Sequence, residues 1–347
     1  MAVKNMSTLC YIQRENSWLM LHRTVKREDV NKDKWIGVGG HFEEEESPEE
    51  CVLREVREET GYTLTSYAYR GLVTFVSGDG MTEYMSLFTA DGFEGEAVSC
   101  DEGELEWVPS EKVWQLNIWE GDKIFFRLLE EGYPFFSLKL VYDGQGGLAG
   151  ASLNGKPMEL FDILNENGSK SGLVQERGVV HFQGSLHPTV HLWIVRKRED
   201  GSFDVLLQKR SAGKDSYPGC YDISSAGHVG AGEDILESVL REAREELGLK
   251  LEAEDLNWVG THRRKKEAVF GGRRFRDYEL GHIYFLDRDL DPSKLVLQES
   301  EVEQVMWIEY QACLRAVEEE AFPHCVDLEE LRMLDTAFRT SISGSRK

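Results

Sequence analysis

The segment GHFEEEESPEECVLREVREETGY, residues 40–62, is repeated further along the chain as GHVGAGEDILESVLREAREELGL, residues 227–249. The two copies begin 187 residues apart, which is too far for a solenoid repeat and suits two complete domains. Between them, residues 146–157 are rich in glycine. The sequence therefore predicts a first domain over residues 1–145, a linker over residues 146–157 and a second domain over residues 158–347.

Each copy carries the start and stop signals of a short amphipathic helix. Ser47 and Glu50 form a capping box, and Gly61 is placed to end the helix in a left-handed conformation. In the second copy Asp234 provides the N-cap and Gly248 the stop. Apolar and β-branched segments flank both copies, so each helix should pack on a mixed β-sheet. The fold class expected from these signals is α/β.

Three glutamates on each helix share one face, because they are spaced at i, i+3 and i+4. They are Glu55, Glu58 and Glu59 in the first copy and Glu242, Glu245 and Glu246 in the second. Carboxylates this close repel one another unless a cation lies between them. Mg²⁺, for which Mn²⁺ can substitute, takes carboxylate oxygens and completes its coordination with substrate phosphates. The alternative is a solvated acidic helix, held by pairs such as Arg54 with Glu58.

Both copies resemble the Nudix box, Gly-x5-Glu-x7-Arg-Glu-U-x-Glu-Glu-x-Gly-U, where U is apolar. The resemblance implies tandem α/β/α sandwiches that hydrolyse nucleoside diphosphate-linked compounds with a divalent metal. It implies metal ligands at Gly40, Glu55, Glu58, Glu59, Gly227, Glu242, Glu245 and Glu246. Arg54 and Arg241 would orient the carboxylates, and Glu58 and Glu245 are also candidate catalytic residues. Many members carry the general base outside the box; Glu102 and Glu301 are the candidates here, and surface turns are the alternative.

The first domain has further segments in common with a known group: KWIGVGG at 34–40, EGELEWVP at 102–109 and WEGD at 119–122. They resemble the MutT/MutX-type 8-oxo-dGTP diphosphatases, which implies release of a monophosphate and pyrophosphate. Trp119 would stack on the purine and Asp122 would read its edge; the alternative for Trp119 is core packing. Ile36 stands where related animal enzymes carry asparagine, which leaves selectivity for oxidised guanine open.

The second domain, from ELFD at 159–162 to PGCYD at 218–222, resembles isopentenyl-diphosphate isomerase and its Nudix hydrolase relatives. The isomerase's metal-binding histidines correspond to His181, His187 and His228, which become candidates for an additional metal or for structural hydrogen bonding. Ala226 replaces the isomerase's catalytic cysteine, and the complete glutamate box favours hydrolysis of a diphosphate substrate. An isomerase and a non-catalytic nucleotide-sensing module are the alternatives.

A basic segment stands out in the second half. It reads RRKK at 263–266 and continues with Arg273, Arg274 and Arg276 around two glycines. Such a hairpin either captures a substrate phosphate or is simply solvated.

The amino-acid composition limits the classes of partner that the protein can bind. Lysine and arginine number 40 against 63 aspartates and glutamates, a net charge of −23 that opposes binding to nucleic acid. No apolar run reaches the roughly 18 residues of a membrane-spanning helix, and the six cysteines form no Cys-x-x-Cys pair. We therefore expect a cytoplasmic enzyme whose partner is a nucleotide or other diphosphate small molecule. A further hypothesis is that the two halves pack as a pseudo-dimer.

Overall fold

The computed structural model describes residues 4–25, 30–214 and 216–344. The chain divides into two compact units, Met1–Leu160 with Gly172–Val179, and Phe161–Ser171 with Val180–Lys347. Each unit contains one copy of the repeated segment. In the described part of the chain, no helix combines the length and the apolar character needed to cross a membrane.

A mixed sheet forms the centre of the first unit. Its strands are β1 (Lys4–Arg14), β2 (Ser17–His22), β3 (Trp35–Ile36), β4 (Thr63–Val76), β5 (Thr82–Glu94), β6 (Glu104–Pro109), β7 (Phe136–Tyr142), β8 (Leu148–Leu153) and β9 (Lys156–Pro157). Their order is β3-β2-β1-β5-β4-β7-β8-β9, with β6 paired to β2. Strands β8 and β9 fall within the predicted linker, residues 146–157, and the domain boundaries stay a prediction.

Helices cover both faces of this sheet. They are α1 (Pro48–Thr60), α2 (Ser110–Val113) and α3 (Glu120–Glu130). Because side chains alternate along a strand, Tyr11 of β1 packs with α3, whereas Cys10 and Ile12 pack with α1. The first unit is therefore an α/β/α sandwich with α1, the helix of the repeated segment, on one face.

The second unit contains a similar mixed sheet. Its strands are β12 (His187–Lys197), β13 (Phe203–Arg210), β14 (Tyr221–Asp222), β15 (Ser225–His228), β16 (Asn257–Phe270), β17 (Arg273–Asp287) and β18 (Val302–Glu309). The order is β14-β13-β12-β17-β16, with β15 paired to β12 and β18 to β13. Before it come β10 (Leu160–Leu164), β11 (Lys170–Glu176) and α4 (Arg177–Gln183). The parallel pair β12–β17 corresponds to the pair β1–β5 of the first unit.

The remaining helices are α5 (Ile235–Leu247), α6 (Tyr310–Glu318) and α7 (Leu328–Gly344). Leu192 and Ile194 of β12 pack with α5, whereas Trp193 and Val195 pack with α6 and α7. Two mixed sheets with helices on both faces confirm the expected fold class, two tandem α/β/α sandwiches.

The caps predicted from the sequence hold both helices of the repeated segments. The Ser47 hydroxyl accepts from the Glu50 amide and the Glu50 carboxylate accepts from the Ser47 amide, and Gly61 ends α1 at φ 77°. Asp234 caps α5 by accepting two backbone amides, and Gly248 ends it at φ 70°. The predicted bounds of both helices are confirmed, and the caps fix the register in which the glutamates face the preceding glycine.

Candidate functional site

The first candidate site lies where Gly40 meets α1. A β-carbon on Gly40 would stand 2.5 Å from the Glu55 carboxyl carbon, so glycine is required for this close approach. Glu59 is buried, and one of its oxygens accepts a hydrogen bond from the Gly39 amide at 2.8 Å. Glu58 is the exposed member of the three, with 61% of its side chain accessible. Two carboxylates therefore lie against the glycine turn, and the third faces solvent.

Arg54 connects these carboxylates. Its Nη1 lies 2.7 Å from Glu55 Oε1 and 3.3 Å from Glu58 Oε2. Its Nε and Nη2 donate to the two oxygens of Glu46 at 2.7 and 2.9 Å. These hydrogen bonds lower the pKa of Glu46 to about 2. Glu46 is thus an anion that orients Arg54, a role that sequence analysis did not assign to it even though the same glutamate recurs in the second copy as Glu233.

The second candidate site repeats this arrangement at Gly227, where an added β-carbon would overlap the Glu242 carboxylate. Arg241 Nη1 lies 2.7 Å from Glu242 Oε1 and 3.3 Å from Glu245 Oε2. Its Nη2 lies 3.3 Å from Glu233, so the connection to the earlier glutamate is present but looser. The solvated-helix alternative accounts for the Arg241–Glu245 pair and leaves the Gly227–Glu242 contact unexplained.

The carboxylate of Glu246 is buried in the second site. It accepts the Ser225 hydroxyl at 2.6 Å and the Ala226 amide at 3.2 Å. Burial raises its pKa to about 7, the nearby Glu242 charge adds to the shift, and the Ser225 hydrogen bond opposes it. A cation beside Glu246 would stabilise the carboxylate and offset the free-energy cost of burying its charge. Oxygen donors from three glutamates and a glycine carbonyl are a ligand set that suits Mg²⁺ or Mn²⁺.

Each predicted base outside the box forms an ion pair with a basic side chain. Glu102 forms an ion pair with Arg23, and Glu301 forms one with Lys214. In both units the cation follows one strand and the acid precedes its antiparallel partner, β2 with β6 and β13 with β18. The sequence did not predict these pairs, and the assignment of Glu102 and Glu301 as bases stays a prediction.

Trp119 and Asp122 lie together at the start of α3. The Trp119 carbonyl accepts the Asp122 amide at 3.0 Å, and its indole N–H donates to Asn31 Oδ1 at 2.8 Å. The Lys34 ammonium lies 4.7 Å from the centroid of the Trp119 ring. Burial raises the pKa of Asp122 to about 8, although Lys34 opposes the shift. Burial therefore favours the neutral carboxyl of Asp122, which is the form that can donate a hydrogen bond.

The second unit brings together three histidines from separate segments. Ring nitrogens of His181, His187 and His228 all lie within 4.8 Å of one another. Phe161 stacks on His228 with ring centroids 4.6 Å apart, which fixes the orientation of the imidazole. Asp277 Oδ1 stands 3.8 Å from His181 Nδ1, a neighbour that the sequence did not indicate. We call these three histidines the histidine cluster; imidazole donors at this separation fit a single transition-metal ion.

A family model described as NUDIX domain matches residues 3–129 and 185–325. The chain is similar to Nudix hydrolase 3 of Arabidopsis thaliana, 37% identical over 155 residues that cover 44% of this chain and 19% of that protein. An uncharacterized Nudix hydrolase of Clostridium acetobutylicum is 36% identical over 157 residues, 45% of this chain and 73% of that protein. The oxidized purine nucleoside triphosphate hydrolase of Danio rerio is 32% identical over 107 residues, 30% and 68% respectively. The match thus spans about a fifth of the Arabidopsis protein's length.

Proposed function

The chain belongs to the Nudix family, and from that premise we propose that each half is a metal-dependent hydrolase of diphosphate-linked small molecules. The observation that carries the proposal is the duplicated contact between a box glycine and a glutamate, Gly40 with Glu55 and Gly227 with Glu242. The glycine carbonyls and three glutamates per half would hold Mg²⁺ or Mn²⁺. When bound, these ions neutralise the diphosphate and lower the pKa of water.

The protein's own side chains then orient the ligands and move the proton. Arg54 holds Glu55 and Glu58 in place, and the Gly39 amide fixes one oxygen of Glu59. Glu102 accepts the proton of the attacking water in the first half, and Glu301 does so in the second. Arg241 takes the orienting role of Arg54 in the second half.

For the first half we propose hydrolysis of 8-oxo-dGTP or another nucleoside triphosphate to the monophosphate and pyrophosphate. Trp119 offers an aromatic surface to the base, and the neutral Asp122 carboxyl donates a hydrogen bond to its edge. Similarity to the zebrafish oxidized purine nucleoside triphosphate hydrolase supports this substrate class. Ile36 packs with the core on the α1 face and offers no hydrogen bond to a base, so we assign the reading of the base edge to Asp122.

For the second half we propose a hydrolase of a different diphosphate. The histidine cluster would hold an additional metal ion, with Asp277 beside it. Ala226 has no group that exchanges a proton with an alkene, which speaks against the isomerase alternative. The strongly acidic composition favours a small-molecule substrate over nucleic acid.

A release screen on the full chain tests the proposal. Glu246→Gln leaves only the first half competent and Glu59→Gln only the second, and each is offered 8-oxo-dGTP, dGTP, dinucleotides, nucleotide sugars and isopentenyl diphosphate with Mg²⁺. We expect pyrophosphate from 8-oxo-dGTP with the first variant, and no deuterium uptake into isopentenyl diphosphate in heavy water with the second. Turnover that persists in EDTA, or no turnover of any compound, contradicts the proposal.

The buried carboxyl of Asp122 predicts a pH-dependent stability. With a pKa of about 8 in the folded protein and about 3.9 unfolded, the folded state keeps a proton that the unfolded state has lost. The free energy of unfolding should therefore fall as pH rises from 5 to 8, by roughly 1 kcal/mol per pH unit relative to Asp122→Asn. Urea unfolding at pH 5, 6.5 and 8 measures the difference. If the free energy of unfolding changes with pH in the same way in the wild type and in Asp122→Asn, Asp122 is ionised at neutral pH.

A further inference from the structure

The basic segment of β16 divides between the two faces of its sheet. Because successive side chains of a strand point to opposite faces, Arg264 and Lys266 lie on one face and Arg263 and Lys265 on the other. The first two, which we call the inner pair, are partly buried, whereas Arg263 and Lys265 are exposed. Arg263 is bound to Glu166 at 3.2 Å. The two faces of this segment therefore have different environments although their residue types match.

The inner pair lies next to the histidine cluster. In the register of β16 with β17, Arg264 is opposite Glu279 and Lys266 is opposite Asp277. Directly opposed side chains have β-carbons about 5 Å apart, and Asp277 itself stands 3.8 Å from His181. A ligand held at the histidine cluster therefore extends over the inner pair if it continues across β17 toward β16.

The two cations of the inner pair are not equally neutralised. Arg264 Nη1 lies 3.5 Å from Glu279 Oε1, while its buried Nε finds no hydrogen-bond partner among the described residues. Among the residues that the structure describes, no carboxylate oxygen lies within 4.0 Å of the Lys266 ammonium, although Asp277 is opposite it. Burial and the charge of Arg264 both lower the pKa of Lys266. Arg264 already faces the carboxylates of Glu279, Asp222 and Asp277, which raise its pKa. The burial cost therefore falls on the Lys266 ammonium, and an added anion beside that ammonium would relieve it.

Two aromatic side chains, Tyr217 and Phe270, lie on one side of the Lys266 ammonium. The ammonium lies 5.8 Å from the centroid of the Tyr217 ring, which packs edge-on against Phe270 at 5.0 Å. The backbone of Tyr217 has φ 48°, a left-handed conformation that bulky residues seldom adopt. Strain of this kind is retained where the surrounding structure holds a side chain in a particular place. Tyr217 therefore limits the space around Lys266 on one side.

We propose that Arg264 and Lys266 bind a second anionic group of the substrate, a phosphate or carboxylate remote from the diphosphate that is cut. The proposal rests on the hydrolase function proposed for the second half, whose substrate class it narrows. A guanidinium and an ammonium on one face offer several donors to a single oxyanion. A prenyl tail in the same place would desolvate both cations without supplying a hydrogen bond, so the inner pair disfavours prenyl diphosphates as substrates.

Binding of inorganic phosphate to the full chain in EDTA tests the inner pair without relying on turnover. Lys266→Gln removes the ammonium of the inner pair, and Lys265→Gln is the matched control because it makes the same charge change on the exposed face. Isothermal titration should show phosphate affinity at least about tenfold weaker in Lys266→Gln, unchanged in Lys265→Gln and largely restored in Lys266→Arg. Equal phosphate affinity in Lys266→Gln and Lys265→Gln, both folded by circular dichroism, overturns the proposal.

Kinetics distinguish the source of the anion. In a Glu59→Gln background, diphosphate compounds carrying a distal phosphate, a distal carboxylate or neither are compared as substrates. The proposal predicts that Lys266→Gln raises KM by about tenfold for the matching distal anion, with kcat unchanged, and leaves compounds without a distal anion unaffected. A uniform effect on all three classes, or on none, contradicts it. If nothing is turned over while phosphate binding depends on Lys266, the hydrolase function of the second half fails and the anion site stands.

Discussion

Glu59→Gln should lower kcat for triphosphate hydrolysis by the first half by about 10³-fold, because a metal ligand contributes several kcal/mol to transition-state stabilisation. Glutamine keeps the shape of the side chain and still accepts the Gly39 amide. Glutamine lacks the negative charge that Glu59 offers to the proposed metal site. Pyrophosphate release from the nucleoside triphosphate measures the effect, and Glu49→Gln, an exposed glutamate in the first turn of α1, is the control that should retain full activity.

Glu246→Gln makes the reciprocal test in the second half. It should abolish turnover of the second substrate to a similar extent and leave triphosphate hydrolysis intact, with the exposed Glu237→Gln as its control. The two variants also separate an enzyme from a sensor. If Glu246→Gln leaves every turnover unchanged, the second half is a binding module and only the first half is an enzyme. A loss of both activities from either single change would contradict independent sites.

Gly40→Ala is expected to displace a metal ligand without unfolding the protein. The new methyl group would stand 2.5 Å from the Glu55 carboxyl carbon, and the flexible glutamate side chain can rotate away more easily than the backbone can move. We therefore expect the Mn²⁺ affinity of the first site to fall by roughly 10–100-fold, as it does when groups that orient metal ligands are lost, with little change in thermal stability.

Manganese titration followed by electron paramagnetic resonance measures that affinity. Gly150→Ala is the matched control in the same unit, since its added β-carbon would make only an ordinary contact, 3.6 Å from Val141. Unchanged Mn²⁺ binding in Gly40→Ala would show that Glu55 is not held against Gly40 for a metal. The equivalent change at Gly227 should act on the second site in the same way, because Glu242 lies against that glycine.

The local elements could be predicted from the sequence because their signals are local. Ser47, Glu50 and Gly61 define α1 through hydrogen bonds within a few residues of one another, and the strands are visible as apolar and β-branched segments. The face shared by the glutamates follows from helix geometry alone. The repeated spacing of the box then implied that the same site forms twice.

Contacts between distant segments could not be predicted in this way. Lys214 meets Glu301 only because β13 pairs with β18, and the burial of Asp122 depends on the packing of α3 against the sheet. The sequence predicts a linker over residues 146–157 because glycine weakens the strand signal. In the structure, part of this stretch is a strand, β8, because its backbone pairs with β7. Arg54 reaches Glu46 because the turn before α1 folds back, which spacing along the chain does not reveal.

The proposed function depends on binding of a divalent ion by the duplicated carboxylates. Manganese titration of the full chain, monitored by electron paramagnetic resonance and competed with Mg²⁺, measures it directly in the wild type and in the Glu59→Gln, Glu246→Gln double variant. We expect that the wild type binds Mn²⁺, that Mg²⁺ displaces it, and that the double variant loses Mn²⁺ from both box sites. Equal Mn²⁺ binding by the two proteins, or none by the wild type, would contradict it.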